Sequence, residues 1–361
     1  MTDILPFLKS LISVSGLSAH EAPVSAIIQK RWKPLVDEVS TSRLGSLHGF
    51  KRGISPKKAS KKSTRPSVLI AAHMDAIGLM VSRISEGFLH IAEIGGIDPR
   101  VLPGTPVIVH ASGSGEDLPG VIAMPQADLL PDGEGKGAVG LNYLLVDVGL
   151  TPHDVSKRVR VGDLVAFNTE PVEMSGETVS GHSLDNRASV AALTVCLEEL
   201  KSRSHVWDVW AVASTQEEIN LGGAQTSVFE TRPSLAVAVD VTYGKGPGAN
   251  GWETFAPGKG VTLGIGPNIH PFLHKRVAEV AKQAEIPFSR EPIPRMSGTD
   301  AISMQVALEG IPTMVIGIPL RYMHTPVEVV SLKDIQRAGR LLAEFVASLE
   351  EDFVEKIVWD E

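Results

Sequence analysis

Residues 68–75 read Val68-Leu69-Ile70-Ala71-Ala72-His73-Met74-Asp75. Five apolar residues in a row, without polar alternation, are the pattern of a strand covered on both faces. That strand runs straight into an imidazole and a carboxylate two residues apart. Similar runs recur at 206–213, 235–241 and 313–319, with helical periods between them. Over 184–201, Val190, Leu193, Leu197 and Leu200 line one face; 271–284 is a further helix; over 331–349 the stripe is Ile335, Ala338, Leu342, Phe345 and Leu349. Buried strands separated by helices predict an α/β fold, a mostly parallel sheet covered by helices on both faces.

Upstream of residue 68, Ile4, Leu5, Leu8, Leu11 and Ile12 predict a helix that Gly16 ends in a left-handed turn. Ser18 and Glu21 have capping-box spacing before a second apolar stripe, Val24, Ile27 and Ile28. A short strand is expected near 36–39. The stretch from His48 to Pro66 then carries Lys51, Arg52, Lys57, Lys58, Lys61, Lys62 and Arg65 with almost no apolar residues. It reads as a solvated, mobile loop in preference to a docking site for an acidic partner. Downstream, residues 77–167 are rich in Gly, Pro, Val and Ile in short runs with no long helical period. They predict a small β-rich domain inserted into the first, giving 1–75 and 167–361 as one domain and 76–166 as the insert.

Composition narrows the function. Of 361 residues 43% are hydrophobic, enough for a sizeable core. The 34 Lys and Arg against 42 Asp and Glu give a net charge of -8, which argues against nucleic acid or an anionic membrane as partner. A single cysteine, Cys196, excludes an intrachain disulfide and a Cys-rich zinc site. The first sixteen residues lack a signal-peptide pattern, and no apolar run is long enough to span a bilayer, so a cytoplasmic location is expected.

In such sheets ligands bind beyond the carboxyl ends of the strands. Five segments place an acid or imidazole there: His73 with Asp75, Glu217 with Glu218, Asp240, His324, and Asp185 at the start of the helix from 184. Singly, each has an ordinary explanation. His-x-Asp is common by chance, Glu198-Glu199 and Glu350-Glu351 repeat the acidic pair on helix surfaces, Asp185 suits a helix start, and His324 a loop. Glu217-Glu218 differ by directly following an apolar strand, and Asp240 is a carboxylate inside one, costly unless paired or metal-bound. Jointly, two imidazoles and three carboxylates without a thiol suit two divalent cations, zinc or cobalt foremost and manganese as a third choice. Asp185, Glu218 and Asp240 would balance two such ions and a bridging hydroxide. A further carboxylate would then move the proton from water to the leaving amine.

HMDAIG, SLDNR, TQEE, DVT, SGTDA and RYMHTPVE, in this order, resemble the glutamyl/leucyl aminopeptidases that form tetrahedral dodecamers, the deblocking-aminopeptidase family of co-catalytic metallopeptidases. The resemblance covers essentially the whole chain. It implies a phosphorylase/hydrolase-like catalytic domain with an inserted β-barrel-like dimerisation domain, and a metal-dependent aminopeptidase acting on short peptides. Asp185 would bridge two metals, Glu218 and His324 completing one site, His73 and Asp240 the other. Glu217 would be general base and acid, with Asp75 orienting His73. Thr299, Asp300 and Arg321 would line the substrate side, and the assembly would be a homo-oligomer from dimer to dodecamer. Departures from the family pattern are Ala76, Ser42, Ser46 and Asn220-Leu221-Gly222-Gly223. The rival readings are a di-metal amidohydrolase of N-acyl amino acids and a non-catalytic peptide-binding or assembly protein on the same fold. His182, close before Asp185, reads as a surface loop histidine in preference to a support for the site.

Overall fold

The computed structural model describes residues 3–54, 65–131, 137 and 139–359. Helices α1 (Leu5–Ile12) and α2 (Ala22–Trp32) precede strands β1 (Glu38–Thr41), β2 (Leu47–Lys51) and β3 (Ser67–His73). Next come β4 (Gly78–Ser85), β5 (Phe88–Ile94), β6 (Pro106–Ala111), β7 (Glu116–Ala123), β8 (Leu145–Asp147), α3 (Pro152–Arg158) and β9 (Leu164–Phe167). The chain continues through β10 (Val172–Met174), β11 (Thr178–Gly181), α4 (Leu184–Glu199), β12 (Asp208–Ser214), α5 (Glu217–Asn220), α6 (Gly222–Thr231) and β13 (Leu235–Tyr243). It closes with β14 (Val261–Ile265), α7 (Pro271–Gln283), β15 (Phe288–Pro292), α8 (Ala301–Gln305), β16 (Thr313–Arg321), β17 (Glu328–Ser331) and α9 (Leu332–Ala347).

The apolar runs become the centre of one sheet, ordered β1-β2-β12-β3-β13-β16-β17-β11-β10, with β14 and β15 branching from β16. All seven residues of β3 are buried, so both faces of the sheet are covered there. The sheet is α/β as expected, but parallel only through β12, β3, β13 and β16 and between β14 and β15. Its flanks pair antiparallel, so it is mixed, not mostly parallel. Strands β4 to β9 form a separate closed barrel, antiparallel throughout. Alternate residues such as Leu79 and Val81, Leu89 and Ile91, and Val107 and Val109 fill its own core, the period of two that a one-sided strand requires. Met80 and Ile94 pack instead on Leu17, Leu164 and Ala166, the seam between barrel and sheet domain. Among the described residues no helix is long and apolar enough to cross a membrane.

Near the N-terminus the local expectations fail for a shared reason: the side chains have distant partners. Helix α1 ends at Ser13, whose N–H reaches the Lys9 carbonyl, so Gly16 is not its cap. Glycine is needed at 16 because a Cβ there would sit 2.6 Å from a guanidinium nitrogen of Arg187. The capping box does not form either: α2 has no side-chain cap. Ser18 donates to Asp75 Oδ2 at 2.6 Å, while Glu21 accepts from the Thr215 hydroxyl and from the Gln216 N–H at 3.2 Å. The strand expected at 36–39 lies at Glu38–Thr41, and the stretch read as a loop from His48 begins as β2, with His48 buried against the Ser227 hydroxyl. Residues 55–64, with Lys57, Lys58, Lys61 and Lys62, lie outside the described residues. His182 is no surface histidine: it is buried, edge-on to Phe167, and burial depresses its pKa to about 3.

Candidate metal centre

Parallel pairing brings the carboxyl ends of β3, β12 and β13 to one rim, with Ser214 opposite His73 in register. His73 ends β3 and Asp240 lies in β13; Glu217 and Glu218 open α5 directly after β12. Asp185 enters at the start of α4, in a non-helical conformation (φ −76°, ψ 104°), and His324 follows β16 at φ 61°. All five segments singled out in the sequence therefore converge.

Asp185 is the hinge of the arrangement. Its Oδ1 lies 3.2 Å from His73 Nε2 and its Oδ2 3.4 Å from His324 Nε2. His324 Nε2 is also 3.4 Å from Glu218 Oε2, and His73 Nε2 is 3.7 Å from Glu217 Oε2 and 3.8 Å from Asp240 Oδ1. Donor atoms of His73, Glu217 and Asp240 lie within 4.8 Å of one another, as do those of His73, Asp185 and Glu218. On its far side His73 turns Nδ1 toward the Asp75 carbonyl at 3.2 Å and Oδ1 at 3.4 Å, which leaves the Nε2 lone pair for the cluster. The barrel also reaches in: a Cβ on Gly96, past β5, would lie 3.4 Å from His324 Nδ1.

Buried carboxylates so close repel one another. Burial, with the charges of Asp240, Asp300 and Glu218, pushes the Glu217 pKa well above the usual range, and burial with Asp185 does the same for Asp240. Burial and Asp185 raise Glu218 to about 7. His324, hydrogen-bonded to Asp185, is raised to about 9. For Asp185, burial is outweighed by the two imidazoles and its pKa falls. A buried set of imidazole nitrogens and carboxylate oxygens whose negative charges crowd one another fits divalent metal ions.

Further residues hold this cluster, and two of them, Glu328 and Arg187, were not among the sequence candidates. Glu328, in the buried strand β17, accepts the N–H of Asp185 through Oε2 and that of His324 through Oε1, both at 3.0 Å. Its only trace in the sequence is an acid within an apolar strand, the signature that marked Asp240. Asp75 accepts the N–H groups of Glu217 at 3.0 Å and Glu218 at 3.3 Å, so it sets the acidic pair as well as His73. Arg187, fully buried, donates to the carbonyls of Leu11, Val14, Met74 and Gly16, and burial lowers its pKa to about 10.

The cluster floors a cavity of about 230 Å³, whose walls include Tyr243, Glu291, Thr299 and Met323. A larger hollow of about 820 Å³, beside Phe7, Arg31 and Glu198, has no converging donor set, so size does not mark the site. Of the three residues expected on the substrate side, Thr299 lines the cavity. Asp300 turns inward to the Ser214 hydroxyl at 2.5 Å, and burial raises its pKa to about 6. Arg321 is not in the lining; its Nε donates to the Lys245 carbonyl at 2.7 Å. In each case the side chain has a near protein partner.

A model of the M42 glutamyl aminopeptidases matches residues 54–341. The chain belongs to this family. M42 membership accords with several similar proteins. A lysyl aminopeptidase of Pyrococcus furiosus is 33% identical over 92% of this chain and 94% of its own length. The crystal structure of a TET aminopeptidase from a marine-sediment Thaumarchaeota archaeon is 31% identical, with TM-score 0.89 over 98% of this chain and 99% of that one. The TET1 peptidase of Pyrococcus horikoshii, described as assembling into a tetrahedron or a large octahedral shell, is 26% identical, with TM-score 0.81 over 96% and 100%. Together with the two donor groups, M42 membership makes this chain a metal-dependent, di-metal aminopeptidase.

Proposed function

We propose that the protein removes single residues from the free N-termini of short peptides, with the scissile bond held over Asp185. The observation that carries this is Asp185 itself, one carboxylate oxygen facing each imidazole. Asp185 would span two cations, Glu218 and His324 completing one site, His73 and Asp240 the other. Zinc or cobalt suits these donors best, and manganese is third. The ions, when bound, polarise the carbonyl and lower the pKa of water at the site. Glu217 faces the cavity, and among the described residues its carboxylate has only the 3.7 Å approach of His73 Nε2, so it would take a proton from water and give it to the leaving amine. Asp75 would position His73 and the backbone of the acidic pair, and Thr299 would contact substrate. The excess of carboxylates favours a cationic substrate α-amine.

The boundaries 1–75, 76–166 and 167–361 remain our division of the chain, with the barrel as a dimerisation module. The assemblies of the Pyrococcus horikoshii relative support a homo-oligomer, from dimer to dodecamer, and the location we propose is the cytoplasm. The deciding experiment supplies zinc, cobalt or manganese to the apoprotein and compares a free-amine peptide with its N-acetyl counterpart. Cleavage of the free peptide alone is expected. Cleavage of the acetylated form would favour the amidohydrolase reading, and cleavage of neither would remove the catalytic one. Light scattering on the same material reads the assembly, and a monomer would contradict the oligomer.

A further inference from the structure

Apart from the metal cluster, the side chains lining the cavity are neutral, with one exception among the described residues: Glu291. Glu291 lies on β15, and each of its oxygens is held: Oε1 accepts from the Thr242 hydroxyl at 2.5 Å and Oε2 from the Thr262 hydroxyl. Thr242 stands two residues beyond Asp240 on the same strand face, about 7 Å along β13. Thr242, which holds the Glu291 carboxylate, is therefore one strand step away from a proposed metal ligand. Room for it is made by Gly317, the register partner of Asp240: a Cβ there would lie 2.2 Å from Thr262 Oγ1 and 3.0 Å from Glu291 Oε2.

A half-buried carboxylate in the wall of a cavity gains from a cation that meets it there. Burial pushes the pKa of Glu291 up while the two threonine hydroxyls hold it down, and no Lys, Arg or His among the described residues contributes. A pocket built for an apolar side chain would gain nothing from such a group. We infer that Glu291 is a specificity-determining residue that receives the ammonium or guanidinium of a basic N-terminal substrate residue, held there by Thr242 and Thr262 beside Gly317. This inference rests on the aminopeptidase reading. A lysine side chain, a cationic head on a flexible four-carbon stem, suits a site whose wall is neutral up to one acid.

The test uses the metal-loaded protein and free-amine tripeptides that differ only in an N-terminal Lys, Arg, Leu or Glu. The wild type is expected to give its highest kcat/KM on Lys and Arg. Glu291→Gln, which keeps the size of the side chain and its contact with the threonines, is expected to lower the Lys-to-Leu ratio of kcat/KM by about 10- to 100-fold, the usual effect of losing a charge-assisted hydrogen bond. Free lysine should inhibit the wild type more strongly than norleucine, which carries a methyl in place of the ammonium, and the variant should lose that difference. A wild type that cleaves leucyl peptides without preferring basic ones overturns this inference alone. So does a variant that loses Lys and Leu substrates in equal proportion, which would assign Glu291 to the α-amine or to packing. Failure to cleave any of the four peptides would overturn the aminopeptidase reading and this inference with it.

Discussion

Glu217 and Glu218 are identical side chains in adjacent positions, and their surroundings divide their work. Both backbone N–H groups are fixed by Asp75, but Glu218 faces His324 whereas Glu217 faces His73 and the cavity. With Glu217 as the proposed proton carrier, Glu217→Gln should keep its metal and lose about 10²–10⁴ in kcat. Metal content by elemental analysis alongside kcat checks this, and metal loss matching the rate loss would make Glu217 a ligand instead. Glu328 touches neither proposed ion nor substrate, yet it holds the backbone on either side of the centre. Glu328→Ala is expected to weaken metal binding by about 10- to 100-fold, as measured by competition with a chromogenic chelator. An unchanged affinity would show that Asp185 and His324 are held by their own loops. The ligand candidates were legible because chemistry-bearing residues stood at strand ends. Glu328 and Arg187 were not, because what distinguishes them is the distant backbone they meet.

At the scale of elements, the first turn of α4 anchors two neighbouring segments. Arg187, on that turn, ties the end of α1 and the segment after β3 to α4 through the carbonyls of Leu11, Val14 and Met74, and it shares that of Gly16 with the Ala76 N–H. Arg187→Met keeps much of the volume but leaves buried acceptors unpaired, and should cost about 2–4 kcal/mol of stability. Denaturant melts of the metal-free protein measure it, and a loss under about 0.5 kcal/mol, the scale of an inconsequential surface change, would mean the clamp is dispensable. The same contrast explains which elements the sequence revealed. Strands β3, β12, β13 and β16 announce themselves because burial on both faces demands unbroken apolar runs. Strands β2, β10 and β15 went unseen: His-Gly-Phe-Lys, Val-Glu-Met and Phe-Ser-Arg-Glu-Pro mix polar with apolar residues, and their pairing is decided by neighbours far along the chain. Ser46 shows the same limit, since its hydroxyl, at a position that departs from the family pattern, supports the Thr215 N–H from 169 residues away.

For the molecule as a whole, two hydrophobic cores meet at a narrow seam, and the proposed metal centre lies on the larger one, with Gly96 from the barrel against His324. Its unbalanced carboxylates make stability depend on both cation and proton. Glu218 has a folded pKa of about 7, above its unfolded value, so the protonated group stabilises the metal-free fold at low pH and that contribution is lost as pH rises through about 7. His324, raised to about 9, also contributes below its unfolded value and is lost as pH rises through about 9. Asp185 is shifted the other way, and its contribution, present above its unfolded value, is constant across this window. Buried neutral histidines such as His182 oppose the trend at acid pH, but they do so equally with and without metal. A divalent cation replaces the protons of Glu218 and His324, so its stabilising effect should grow as pH rises toward about 9. The measurement is the melting temperature of metal-loaded and chelator-treated protein across that range, the gap between them widening with pH. A gap that stays constant, or narrows, would mean that these two groups do not exchange protons for metal, and would place the cation somewhere other than between the two imidazoles.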